Sequence, residues 1–144
     1  MKKITINLTQ HSLTSVQRAD GVRDWPTPVE DAEGGLDHLP QSAIKEMLVF
    51  DASIIDQLAG DGNLEGHLER RAATVARETR VAADKIGAER AMVGGAPWFQ
   101  PYLLAALRQH GLKPCWALSD RRSVEQTVDG KTVKKMVFQH VRLI

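Results

Sequence analysis

Apolar and polar residues alternate at the start of the chain, where Lys3 to Thr9 reads K-I-T-I-N-L-T. Alternation with a period of two residues predicts a half-buried β-strand whose apolar face lies inward. The strand leads into Gln10-His11-Ser12. A short helix is predicted next, because Ser12 or Thr14 can cap a helix that ends before Gly21.

A helical stripe of apolar residues runs from Leu64 to Ile86 and predicts the longest helix of the chain. Asn63 is its candidate N-cap, and Gly87 stands where a C′ glycine belongs. Two shorter helices are predicted before it, one with Pro40 in its first turn and one that begins near Ser53.

Strands and helices alternate in the second half of the chain with short connections. Glu89 to Val93 is predicted as a buried strand, a helix follows to about His110, and Lys113 to Leu118 is predicted as the next strand. Such alternation implies parallel strands with helices packed on them. The predicted fold class is α/β, with a Rossmann-like, mostly parallel sheet, flanking helices and a C-terminal antiparallel β-hairpin.

The C-terminal hairpin is the most specific local prediction. Its two β-patterned runs are joined by Asp129-Gly130, a pair that can take positive φ at both central positions of a type I′ turn. A two-residue loop fixes the register, so Val128 should lie opposite Lys131. The same register pairs Glu125 with Lys134, which are of opposite charge.

The segment 22–39 interrupts this pattern. It is rich in proline, glycine and acidic residues, which predicts a flexible surface loop or insertion. The whole chain has 144 residues, enough for one compact domain and too few for two ordinary ones. We therefore predict a single domain that spans residues 1–144.

Charge and cysteine content narrow the classes of partner. The 19 Lys and Arg residues nearly balance 18 Asp and Glu, and a formal charge of +1 argues against a surface that binds duplex nucleic acid. No stretch is long and apolar enough for a membrane span. Cys115 is the only cysteine, so an internal disulfide is impossible and a cytoplasmic setting is expected.

A pair of glycines is the first candidate for chemistry. Gly94-Gly95-Ala96-Pro97 separates a buried strand from a helix, where backbone N–H groups can bind an anion such as phosphate. It lacks the other residues of a G-x-G-x-x-G motif or a P-loop, so a plain tight turn is the competing interpretation. Trp98 follows, and it can either stack on a base or belong to the core.

Polar residues also follow two other predicted strands. Thr9-Gln10-His11 ends the first strand, where a parallel sheet presents its ligand crevice, and a histidine there suits proton transfer. In Ser119-Asp120-Arg121-Arg122-Ser123 an arginine could bind a phosphate and a serine could donate to it. The competing interpretations are an exposed loop histidine and a solvated turn in which Asp120 and Arg122 pair.

The five histidines show no spacing typical of metal ligands, so neither a metal ion nor a cofactor is predicted. One of them, His140, lies on a C-terminal strand that could return it beside the crevice. We interpret it as structural rather than catalytic.

Three segments together resemble small CRISPR-associated proteins of the ring-nuclease group. They are N-L-T-Q-H-S-L-T-S-V-Q from Asn7 to Gln17, A-M-V-G-G-A-P from Ala91 to Pro97, and R-R-S-V-E-Q-T-V-D-G-K-T-V-K-K-M-V-F-Q-H-V-R from Arg121 to Arg142. The segment 22–39 departs from that group's pattern and could change a lid or a dimer contact.

The resemblance implies a CARF-like homodimer that binds cyclic oligoadenylate, the second messenger of type III CRISPR defence, and cleaves it to switch the response off. Cleavage in that group needs no metal, because a ribose 2′-hydroxyl attacks its adjacent phosphate and leaves a cyclic 2′,3′-phosphate. This reaction requires in-line positioning and donors for the charge that develops on the phosphoryl group.

On this hypothesis the catalytic residues are His11, for proton transfer, and Arg121 or Arg122, for stabilising the phosphate. The predicted ligand-binding residues are Thr9, Gln10, Gly94, Gly95, Trp98, Ser119 and Ser123. Two alternatives stay open: a nucleotide-binding sensor or sequestering protein without turnover, and a structural or interaction domain.

Overall fold

The computed structural model describes residues 3–144, apart from the side chains of Arg121, Arg122, Val124 and Phe138. The elements are β1 (Thr5–Leu8), α1 (Ser15–Ala19), β2 (Val22–Arg23), α2 (Gln41–Met47), α3 (Ala52–Gly60), α4 (Leu64–Ile86), β3 (Arg90–Val93), α5 (Gln100–Gln109), β4 (Lys113–Cys115), β5 (Ala117–Val128) and β6 (Lys131–Leu143). The predicted α/β class is confirmed.

The centre of the fold is a four-stranded sheet in the order β2-β1-β3-β4. All its neighbouring strands are parallel, and β1 pairs with β3 from Thr5 opposite Arg90 to Leu8 opposite Val93. Parallel neighbours require crossover connections, which the helices between the strands supply. The carboxyl ends of β1 and β3 therefore meet at one edge of the sheet.

Strand β1 is buried on both faces, so the prediction of a half-buried strand is wrong. Ile6 and Leu8 belong to the main apolar core, which α4 and α5 also enter. The opposite face of the sheet carries a smaller cluster that includes Met92 and Leu143. The alternating pattern predicted an exposed face, but Thr5 and Asn7, although polar, are buried as completely as their apolar neighbours.

Helix α4 buries the predicted stripe and ends at Gly87, whose φ of 70° is left-handed. Asn63 occupies the predicted N-cap position, but its side chain makes no capping hydrogen bond. At α1 the expected cap is present: Thr14 accepts from the Gln17 N–H, and the Gln17 side chain accepts from the Thr14 N–H. This reciprocal pair is a capping box.

Both ends of the segment 22–39 are held to the domain. Near its start, the buried Trp25 donates its indole N–H to the Asn7 carbonyl at 2.9 Å. Near its end, the buried His38 is 2.7 Å from the Leu39 carbonyl through Nδ1 and 3.1 Å from the Lys85 ammonium through Nε2. A carbonyl and an ammonium can only accept and donate, respectively, so His38 carries its proton on Nδ1.

The C-terminal hairpin has the predicted register. Val128 lies opposite Lys131, Glu125 lies opposite Lys134, and the turn residues Asp129 and Gly130 have φ of 52° and 74°. The turn's positive φ values match the predicted type I′ geometry.

The strand predicted from Lys113 to Leu118 is in fact divided. It leaves the parallel sheet after Cys115, because Trp116 exchanges two backbone hydrogen bonds of 2.8 Å with Ile144 instead. The antiparallel ladder then begins at Ala117 opposite Leu143. The competing ladder with the C-terminus therefore ends β4 early.

Asp37 should make the protein's stability depend on pH in the acid range. The Val29 backbone N–H donates to its carboxylate, and with Lys85 this lowers the pKa of Asp37 from 3.8 to about 2. A lowered pKa gives stability that is present above pH ~4 and lost as the pH falls toward ~2. We expect the melting-temperature gap between wild type and Asp37→Asn to shrink over that range. If the difference in melting temperature between the two proteins were the same at every pH from ~6 to ~2, the lowered pKa of Asp37 would be contradicted.

Candidate functional site

A cleft of about 370 Å³ opens at the carboxyl ends of β1 and β3, beside the start of β5. Ligands of parallel α/β sheets commonly bind at this edge. The residues that line the cleft are Thr9, His11, Gln17, Met92, Val93, Gly94, Gly95, Trp116, Ala117 and Ser119.

The cleft brings together half of the residues predicted from sequence to form a site. Those that line it come from the exit of β1, the turn after β3 and the start of β5, and they are Thr9, His11, Gly94, Gly95 and Ser119. These segments are far apart in the chain, and the parallel sheet and the base of the hairpin make them adjacent.

Other predicted ligand-binding residues lie elsewhere. The Gln10 amide donates to the Leu48 carbonyl at 3.0 Å. Trp98 packs on Phe50, with ring centroids 4.7 Å apart, and lines a separate groove beside α3 and α4. Ser123 lies opposite Met136, farther along the exposed hairpin.

The two predicted arginines lie in β5, directly after the cleft-lining Ser119. Arg121 pairs with Phe138 and Arg122 with Val137 in the backbone ladder. Their side chains fall outside the described residues, so their phosphate-binding role stays a prediction.

The exit of β1 is shaped by Asn7, a buried residue that sequence analysis did not select. Its Nδ2 donates to the His11 carbonyl at 2.9 Å, and its Oδ1 accepts from the Thr9 hydroxyl at 2.7 Å and the Thr9 N–H at 3.2 Å. The His11 N–H in turn donates to the Thr9 hydroxyl at 3.2 Å. Asparagine favours such local bonds to a following turn, which was the available signal.

Two further cleft residues were missed. Trp116 is 37% exposed, and its indole offers the cleft a flat aromatic surface. Gln17 reaches the cleft from α1, where the capping box fixes its position. The sequence predicts Trp116 within a continuous apolar strand. It lies at the cleft because β4 ends at Cys115.

The glycine turn contributes backbone rather than side chains. Gly95 has φ of 101°, which disfavours any residue with a Cβ, whereas a Cβ on Gly94 would sit 3.7 Å from the Thr9 methyl group, an ordinary contact. Helix α5 begins only at Gln100, and none of its residues lines the cleft. The turn itself, not the helix N-terminus, is therefore the backbone surface available to an anion.

Among the described residues that line the cleft, His11 is the one ionisable side chain. None of these described residues is a carboxylate, so they place no negative charge that would repel an anionic ligand. Cys115 lies close by but is buried, and burial raises the pKa of its thiol, which disfavours a reactive thiolate.

The described residues hold neither a candidate metal site nor a candidate membrane span. In residues 3–144, apart from the undescribed side chains, no group of three or more His, Cys, Asp or Glu could hold a metal ion. Nor does any helix in that part of the chain have the length and apolarity to cross a membrane.

Comparison with known proteins gives one match. The family model described as "Uncharacterized protein MJ1673 family" matches residues 3–144. No curated protein and no solved structure matches the chain.

Gly94 and Gly95 should differ in how well each position tolerates a side chain. Gly95→Ala places a Cβ at a φ of 101°, and we expect it to lower the free energy of unfolding by ~1 kcal/mol or more. Gly94→Ala is the matched control and should change it by less than ~0.5 kcal/mol. Urea denaturation measures both. Equal losses in the two variants would show that the turn does not depend on the Gly95 conformation.

Proposed function

Because the chain belongs to the MJ1673 family, whose description names no activity, we propose its function from the cleft: a ring nuclease that binds and cleaves cyclic oligoadenylate without a metal ion. One observation carries the proposal. His11, the Gly94-Gly95 turn and Ser119, each predicted separately from the sequence as part of a site, line a single cleft. The proposed role is to switch off type III CRISPR signalling in the cytoplasm.

The cleft has groups for each part of a nucleotide. Trp116 offers a face on which adenine can stack, and such stacking contributes ~1–3 kcal/mol per base. The Gly94-Gly95 backbone can approach a phosphate closely because no side chain intervenes. The hydroxyl of Ser119 and the amide of Gln17 can donate to phosphate or ribose oxygens.

The proposed reaction is an internal transesterification. The ribose 2′-oxygen forms a bond to phosphorus while the bond from phosphorus to the leaving 5′-oxygen breaks. The 2′-hydroxyl loses a proton and the 5′-oxygen gains one. His11, exposed and in the cleft wall, gives the proton to the 5′-oxygen, and Arg121 or Arg122 is proposed to stabilise the phosphoryl charge.

The size of the cleft supports a homodimer. About 370 Å³ lies at the low end of small-molecule sites and can hold only part of a cyclic oligonucleotide. A ring of repeated nucleotides is matched by a repeated site, which two copies of the chain related by a two-fold axis would supply.

A second candidate is a sensor or sequestering protein that binds the nucleotide without turnover. The observation in its favour is that the described residues that line the cleft include one ionisable side chain, His11, and no second acid or base beside it. Binding would then rest on the same aromatic and backbone groups, while the ring would remain intact.

Cleavage is tested with cyclic tri-, tetra- and hexa-adenylate in EDTA, followed by product analysis. We expect one ring to yield linear products ending in a cyclic 2′,3′-phosphate, and His11→Ala to slow this by ~10²–10⁴-fold with little change in Kd. Binding without any product supports the sensor instead. Failure to bind or cleave any of the rings contradicts both candidates, and activity that EDTA abolishes contradicts the mechanism.

The two tryptophans provide a matched test of the binding site. Trp116→Ala should weaken binding of the cyclic oligoadenylate by ~1–3 kcal/mol, because a stacking face is lost. Trp98→Ala, which removes an aromatic from the separate groove, should leave Kd unchanged. Titration calorimetry measures both. The reverse order of effects would move the binding site to the groove beside α3 and α4.

A further inference from the structure

A buried histidine stands next to the cleft and has no role in the reaction as described so far. His140 lies in β6 with its side chain only 3% exposed, and its Nε2 is 3.2 Å from Oδ2 of Asp20. The same oxygen accepts the Leu143 N–H at 3.2 Å. An ionised carboxylate can only accept, so Nε2 of His140 carries the proton. Nδ1 of the neutral ring is then an acceptor.

Within the described part of the chain, that acceptor lacks a donor. Nδ1 of His140 is buried and has no hydrogen-bond partner among the described residues. A buried polar atom without a partner is unfavourable and needs an explanation. A donor that arrives or rotates into place during the reaction would provide one.

A candidate donor is the hydroxyl of Ser119. Ser119 lies directly opposite His140 in the β5–β6 ladder, and it lines the cleft. Residues opposite each other share a face of the ribbon, with Cβ atoms about 4.5–5.5 Å apart. Rotation about the Ser119 Cα–Cβ bond can therefore direct its hydroxyl either to the ligand or toward Nδ1.

A β-bulge creates this arrangement. The register changes between Leu118, which pairs with Arg142, and Ser119, which pairs with His140, so Val141 has no opposite residue. Without the extra residue, strict alternation would not let His140 and Leu143 both face inward, yet both are buried. Bulges beside active sites commonly redirect a side chain in this way.

We propose that Ser119, His140 and Asp20 form a proton relay into the cleft. This inference rests on the proposed function and supplies the proton acceptor that His11 alone does not. As the 2′-oxygen bonds to phosphorus, its proton passes to the Ser119 oxygen and the Ser119 proton passes to Nδ1 of His140. The P–O5′ bond breaks, and His11 gives its proton to the 5′-oxygen.

Each group has a distinct part in the relay. Ser119 touches the ligand, whereas His140 and Asp20 act through it and are positioning residues. The Asp20 carboxylate stabilises the imidazolium that forms on His140. After product release, His140 returns its proton and His11 regains one through solvent, so the protein is unchanged over the cycle.

The kinetic test uses variants that keep the hydrogen bonds of the fold. His140→Gln can still donate to Asp20 but cannot take up a proton. Asp20→Asn can still accept from Leu143 but cannot stabilise an imidazolium, and we expect it to slow cleavage as well. We expect Ser119→Ala and His140→Gln each to slow single-turnover cleavage ~10²-fold or more without a matching change in Kd. The double variant should be no slower than either alone, since the two residues act as a unit.

A merely structural His140 predicts a different result. His140→Gln would then lower the melting temperature, and its effect on the rate would multiply with that of Ser119→Ala. Multiplied effects, or a covalent phosphoryl adduct on Ser119, would overturn the relay.

Nitrogen-15 NMR of histidine-labelled protein separates this inference from the proposed function. We expect His140 in the Nε2–H form, with an Nδ1 signal that moves in Ser119→Ala and stays in place in the control Ser123→Ala. An Nδ1–H form, or a signal indifferent to Ser119, overturns the relay even if the rings are cleaved. If no ring is cleaved, the proposed function fails, and the NMR signals still decide whether Ser119 and His140 are coupled.

Discussion

The carboxylate of Asp20 joins the two ends of the chain, and the cleft depends on that junction. Asp20 follows α1, and its carboxylate accepts hydrogen bonds from the Leu143 N–H and from Nε2 of His140. Because β5 and β6 pair along their length, holding the base of β6 also holds the start of β5 beside β1 and β3. This contact supports the wall that carries Trp116 and Ser119, together with the packing of Leu143 in the cluster that includes Met92.

Buried polar side chains elsewhere also hold irregular segments in place. Asn7 is in β1, a central strand where an amide is unfavourable to bury, and its side chain binds the turn that presents Thr9 and His11. His38 similarly binds Lys85 and so ties the segment 22–39 to α4. In each case the bonds of a buried side chain fix an irregular segment, which local propensity alone would leave undetermined.

What could be predicted from the sequence is what depends on neighbouring residues. The Asp129-Gly130 turn determines the hairpin register by itself, and alternating elements imply a parallel sheet whose carboxyl edge lies near His11. The burial of Thr5 and Asn7 could not be predicted, because it depends on which segments cover each face of the sheet. Trp116 was missed for a related reason: the pairing with Ile144 that brings it to the cleft spans residues far apart in the chain.

The central claim is that the cleft at the end of β1 and β3 binds the nucleotide. It is tested most directly by a crystal structure with a 2′-deoxy cyclic oligoadenylate, which lacks the attacking hydroxyl and cannot be cleaved by this mechanism. We expect adenine to stack on Trp116, a phosphate to lie at Gly94-Gly95 and the 2′-carbon to lie beside Ser119. A ligand bound in the groove by Trp98, or on the hairpin away from the cleft, would contradict it.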